Sequence, residues 1–221
     1  MRLLPRGKTI KEQLDTSKLK MPDALQKMCA NYFSGYLSFE VAQGDGIIGY
    51  VKGQIVAALW QRYVGEERRE RLCGELALQM IFREIQSDKC LMGVYRLRDD
   101  FIPYVRQFCQ AKVEARDQLV ELLDIHRLMA RLKQKQFSGC LRLHSGDRVE
   151  LIFYSEGVAL GFFCDGSLGL SADIDAATSI VLDERCLVDI VRANPAGEQD
   201  CRIRGVNLEK VWLRVWRDLN P

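Results

Sequence analysis

Few residues in this chain could do chemistry. There are two histidines, eight cysteines and a handful of acidic clusters. Nucleophilic catalysis needs a Ser, Cys or Lys within hydrogen-bond reach of a base. Cys140 and His144 fall on one face of a predicted strand. Four steps at ~3.3 Å put their backbones about 13 Å apart, too far for a direct pair. His126 falls on an amphipathic helical pattern and reads as a core-edge side chain. A structural zinc site wants Cys or His at short spacing. The cysteines at 29, 73, 90, 109, 140, 164, 186 and 201 include no Cys-x-x-Cys. Spread evenly through a chain long enough to build a core, they read as reduced, mostly buried thiols. Asp173 and Asp175 lack the Gly and terminal Glu of an EF-hand loop. Glu66, Glu67 and Glu70 are interleaved with Arg, which favours local ion pairs. Gly7-Lys8-Thr9 resembles the tail of a phosphate-binding loop, but the earlier Gly and the leading strand are missing. The expectation is therefore no catalytic residue, no metal and no cofactor.

What organises the chain is a repeat. Phe33-Ser34-Gly35-Tyr36-Leu37 returns as Phe137-Ser138-Gly139-Cys140-Leu141, an offset of 137 − 33 = 104 residues. At the same offset Leu25 meets Met129, Met28 meets Leu132, Phe39 meets Leu143 and Gly53 meets Gly157. Helix pattern, string, strand and turn glycine all recur together, over roughly 22–60 against 126–164. The implied fold class is α+β, a tandem duplication of a module with an antiparallel β-meander sheet flanked by helices. The boundaries read as an N-terminal arm at 1–20, a first module at 21–114 and a second module at 115–221.

Within the first module a helix is predicted at 22–31. Pro22 suits its first turn, and Asp23 suits the positive end of its dipole. Strands follow around 37–41, 47–51 and 54–60, with Gly44-Asp45-Gly46 as a hairpin turn. A charged loop or helix start is predicted at 65–71, then a helix at 74–85, a strand at 90–95 and a helix opened by Asp99-Asp100. The second module opens with a helical pattern over 117–135, carried by Leu119, Leu122, Leu123, His126, Met129 and Leu132. Strands are predicted at 139–144, 149–154 and 157–163, then a helix near 173–182 and a strand near 186–192. The last element is an amphipathic helix within the second module. Leu208, Val211, Trp212, Val215, Trp216 and Leu219 recur along one stripe. That stripe packs on its own domain, or it is offered to a partner, where Trp is a natural anchor.

Net charge is 32 − 30 = +2, so no strong field invites nucleic acid or an anionic membrane. No stretch approaches the ~20 apolar residues that cross a bilayer, and the first residues lack a signal-peptide core. A cytoplasmic protein is expected.

The pattern resembles the PATAN family, named for the N-terminal domain of a cyanobacterial response regulator. The residues that carry the resemblance are Phe33-Ser34-Gly35, Gly53, Ala57-Ala58 and Gly74-Glu75-Leu76-Ala77-Leu78, then Phe137-Ser138-Gly139 and Gly157. The second copy has Ser171-Ala-Asp-Ile-Asp-Ala-Ala in place of Gly-Glu-x-Ala-Leu. The resemblance implies a bacterial regulatory module that binds proteins and carries no catalytic residues. The expected function is a non-enzymatic signalling scaffold that engages a regulatory protein or a second copy of itself. The alternative is a sensor for a small, nucleotide-like ligand between the two modules.

Overall fold

The structure is a computed structural model that describes residues 2–64, 68–173, 179–194, 201, 203 and 206–220. The chain divides into two compact units. One comprises Thr9–Gln110 with Gln199–Pro221, and the other comprises Met1–Lys8 with Ala111–Glu198. Each is an antiparallel sheet with helices, the α+β duplication that the repeat implies.

The first unit contains β1 (Lys8–Asp15), α1 (Met21–Ala30), β2 (Gly35–Val41), β3 (Gly44–Val51), β4 (Gln54–Val64) and β5 (Arg68–Cys73). It continues with α2 (Gly74–Ser87), β6 (Leu91–Arg96) and α3 (Ile102–Gln110). Its strand order is β1-β6-β2-β3-β4-β5. The second unit has β7 (Lys112–Leu119), α4 (Ile125–Gln134), β8 (Gly139–Ser145), β9 (Arg148–Ser155), β10 (Val158–Phe163) and β11 (Leu187–Arg192). Its order, taken from β7, is β7-β11-β8-β9-β10. That matches β1-β6-β2-β3-β4 strand for strand, so the duplication is longer than the repeated string suggests.

The match extends to individual backbone angles. Among the described residues six non-glycines have positive φ, and they fall into three pairs at the repeat offset: Gln13 with Asp117, Tyr32 with Gln136, and Lys52 with Glu156. The Phe-Ser-Gly string is a joint between helix and sheet. Phe33 N–H bonds Met28 O at 3.1 Å and closes α1, as Phe137 N–H bonds Leu132 O at 2.9 Å and closes α4. The Phe33 carbonyl then accepts Gly53 N–H at 2.8 Å, and Phe137 accepts Gly157 N–H at 2.8 Å. Ser34 Oγ accepts Lys52 N–H at 2.9 Å, and Ser138 Oγ accepts Glu156 N–H at 3.0 Å. Both phenyl rings meet a tyrosine edge-on, Phe33 on Tyr50 and Phe137 on Tyr154.

Several sequence expectations need correction. The arm is not irregular over 8–15: those residues are β1, an edge strand. The 117–135 pattern is not one helix. Residues 112–119 are β7, and α4 starts at Ile125, leaving Leu122 exposed and Met129 partly exposed. The charged segment at 68–73 is β5 rather than a loop. The hairpin after β2 turns at Ala42-Gln43, because Gly44 already pairs with Val41. His126 is exposed. Glu66, Glu67, Asp175 and residues 174–178 of the helix predicted near 173–182 lie outside the described residues. The cysteines are not all free: Cys73 and Cys201 form a disulfide 128 residues apart in sequence, within the first unit.

The terminal helix α5 (Leu208–Leu219) follows the second module in sequence, yet it packs on α2 and α1 of the first. Val211 and Val215 are buried in a core built from Phe39, Tyr50, Trp60, Phe82 and Met92. Periodicity specified the buried stripe. The disulfide at Cys201 holds the approach to α5 against the start of α2, which is where the stripe finds its partner surface.

Two measurements test this architecture. Gly146 and Gly157 both have left-handed φ, but a Cβ at Gly146 meets open space while one at Gly157 falls 2.7 Å from Lys133 Cα. In urea unfolding Gly146→Ala should cost about 1 kcal/mol, the left-handed penalty alone. Gly157→Ala should cost about 3 kcal/mol or more, because the helix end must move. Reducing Cys73–Cys201 should lower stability by about 4 kcal/mol, as expected for so long a loop. Cys73→Ser/Cys201→Ser should reproduce that loss.

Candidate functional site

Of the sequence-selected residues, Phe33, Ser34, Gly35, Gly53 and their counterparts Phe137, Ser138, Gly139 and Gly157 form the two joints. They are structural. A Cβ at Gly35 would stand 2.0 Å from Tyr95 O, and one at Gly139 would stand 2.2 Å from Val191 O. Nothing bulkier fits where the joint crosses the neighbouring strand.

The α5 residues divide. Val211 and Val215 are core. Leu208, Trp212 and Leu219 are partly buried against it. The Trp212 ring meets Phe82 edge-on at 5.3 Å. Trp216 is 51% exposed, although it lies on the stripe. Asn207 caps the helix by accepting Lys210 N–H at 3.0 Å, and Asn220 Nδ2 donates to Trp216 O at the other end. Trp216 therefore rides half-exposed on a well-terminated helix.

Beneath it lies a groove of about 500 Å³ between the α5 end, the α2 end and the start of α1. Its apolar wall includes Leu19, Met21, Ile85 and Trp212. Its one amide side chain from α2 is Gln86. Both Gln86 Oε1 and Nε2 are shielded from solvent, and neither has a hydrogen-bond partner. A buried amide left this way costs free energy that a ligand could recover. Sequence reading missed Gln86, because it lies one residue past the apolar stripe of α2.

The second module carries a different constellation. Cys140, Arg142 and His144 alternate along β8 on the face opposite Leu141 and Leu143, which belong to the hydrophobic core. Arg142 Nη1 donates to Asp189 Oδ2 at 2.8 Å, with both side chains buried. Its other nitrogens reach the carbonyls of Leu3, at 3.2 Å, and Arg2. Asp189 Oδ1 accepts Asp117 N–H at 2.9 Å. His144 Nε2 stands 3.3 Å from Asp117 Oδ1 and 3.6 Å from Asp189 Oδ1, and neither contact has hydrogen-bond geometry. Asp117 is placed there by the bulge in β7, where its φ is +50°. Burial alone would raise the Asp189 pKa. The His144 imidazole, the Arg142 guanidinium and the Asp117 N–H outweigh it and hold the carboxyl well below the usual range.

The first module lacks this cluster. The repeat offset puts Gln13 at Asp117, Ser38 at Arg142 and Glu40 at His144. The strand pairing puts Gly93 at Asp189. There the space belongs to Tyr95, which stacks on Tyr36 and donates to Glu12 Oε1 at 2.7 Å. The cluster therefore belongs to one copy alone. Arg142 and His144 alternate with core positions along β8, but their carboxylate partners stand on β7 and β11, far away in sequence.

Comparison with known proteins corrects the family expectation. A family described as "Uncharacterized protein conserved in archaea (DUF2226)" matches residues 2–106. The PATAN-like reading and its bacterial setting are overturned by that match. The Phe-Ser-Gly strings and turn glycines that suggested them are the residues of the two joints. Neither a curated protein nor a solved structure matches the chain. No helix among the described residues is long and apolar enough to cross a membrane.

The buried ion pair yields a direct test. Asp189→Asn removes the carboxylate that Arg142 faces, and losing one member of such a pair typically costs ~3–5 kcal/mol. Because the folded-state pKa of Asp189 is depressed, its contribution is present in full above the ~4 of a free Asp and is lost as pH falls below that. Urea midpoints between pH 5 and pH 3 should fall more steeply for the wild type than for Asp189→Asn. Parallel slopes would remove Asp189 from the acid response.

Proposed function

We propose that the chain is a non-enzymatic binding protein whose first module takes an extended peptide segment of a partner into the α2–α5 groove. The observation that carries this is the unpartnered Gln86 amide at an apolar groove edged by a half-exposed Trp216. A peptide backbone offers one donor and one acceptor side by side, the complement of a primary amide. A neighbouring apolar side chain would cover Trp216, in the manner of interface anchors. The regulatory role foreseen from the sequence rests on this surface. The cytoplasm is the compartment we favour from the six free cysteines, four of them buried, against which the Cys73–Cys201 disulfide stands as the one sign of an oxidising setting.

The test is fluorescence polarisation against a library of labelled short peptides with apolar residues, alongside solution mass over a concentration series. The wild type should bind a subset of peptides. Trp216→Ala and Gln86→Leu should each weaken binding about tenfold, the effect of losing one interface anchor or one buried hydrogen-bonding pair. Trp216→Ala should leave stability within about 1 kcal/mol, because half the ring is already in water. Trp212→Ala, which removes packing on Phe82, should cost about 2 kcal/mol or more. A concentration-dependent dimer lost in Trp216→Ala would assign the groove to a second copy instead. Binding of free nucleobases but no peptide would favour the small-ligand reading.

A further inference from the structure

The charged cluster of the second module plays no part in that reading, and its geometry points to a separate site. We propose that Asp117, His144 and Asp189 bind a divalent first-row transition ion, with zinc as the leading candidate. One atom from each residue lies within 4.8 Å of the others, one imidazole nitrogen and two carboxylate oxygens. This is the nitrogen–oxygen donor set that suits zinc and its neighbours. At zinc bond lengths near 2.1 Å the ligand–ligand edge of a tetrahedron is about 3.4 Å. The His144–Asp117 and His144–Asp189 separations, 3.3 and 3.6 Å, bracket that edge.

The second observation is the state of His144. The residue is 3% exposed, and its Nε2 aims between the two carboxylates without a hydrogen-bond partner. A buried ring nitrogen seldom goes unsatisfied, and an ion equidistant from all three atoms would satisfy it. The supporting shell is in place. Arg142 occupies Asp189 Oδ2 and Asp117 N–H reaches Oδ1, so the carboxylate is held in one orientation. Outer-shell bonds of this kind orient ligands at metal centres. Asp117 is 39% exposed, which gives the ion a route in and leaves room for a water ligand. Arg142 opposes a cation with its own charge. Against that one guanidinium stand the two carboxylates of Asp117 and Asp189, whose mutual repulsion beside His144 an ion would relieve.

The experiment is calorimetric titration of the chelator-treated full-length protein with ZnCl2, followed by the visible spectrum of the Co2+ form. One ion per chain should bind, with a rise in thermal midpoint. Asp117→Asn keeps the shape of the side chain on the most exposed ligand, so it should remain folded while affinity drops about tenfold or more. The Co2+ spectrum should lack thiolate charge-transfer bands, which excludes the free cysteines as ligands. The proposal is overturned if the folded wild type binds no ion, if Asp117→Asn binds as tightly, or if thiolate bands appear.

Discussion

One joint, used twice, constrains everything else. A helix ends on a left-handed residue, a phenylalanine closes it, and that phenylalanine's carbonyl is spent on the turn glycine of the next hairpin. The adjacent serine locks the residue before that glycine. Helix axis, sheet plane and hairpin register are thereby tied at a single point. The ring of the same phenylalanine packs on a tyrosine across the sheet. Change any part and the helix loses both its cap and its seat. The geometry tolerates no Cβ at either glycine pair, which explains why these residues persist in both copies.

With the frame held this way, the copies were free to diverge elsewhere. Among the described residues the first alone carries β5, α2 and α3, and α5 packs on its α2. That packing makes a groove at the helix ends, and the groove holds the Gln86 amide, which has no hydrogen-bond partner among the described residues. The second copy kept a smaller core and placed charge on the opposite face of its sheet. A left-handed backbone position common to both edge strands carries Gln13 in one copy and Asp117 in the other. The same backbone device therefore presents a neutral amide in one module and a carboxylate beside His144 in the other.

The joint was legible in the sequence because few residue types can occupy it. Glycine at a close approach and phenylalanine at a seam leave a recognisable string. The edge strands β1 and β7 were not legible. β1 is charged and largely exposed, and Leu119, Leu122 and Leu123 around the end of β7 fall at helix-like spacing. The home of α5 was not legible either, because periodicity tells which face is buried and not against what. The charged cluster joins Asp117, His144 and Asp189 across three strands, so no local spacing announces it. Aligning β1 with β7 at the full repeat offset would have exposed the bulge and drawn attention to what stands there.

The most direct test of the account is amide hydrogen exchange at the paired joint positions: Gly53 with Gly157, Lys52 with Glu156, and Leu97 with Ala193. Each pair makes the same bond in the two modules. The account predicts that all six amides are protected against exchange, since each closes the same joint in its own module. Protection in one module with free exchange at the matched sites of the other would contradict a shared joint, and with it the duplicated frame on which both proposed sites are built.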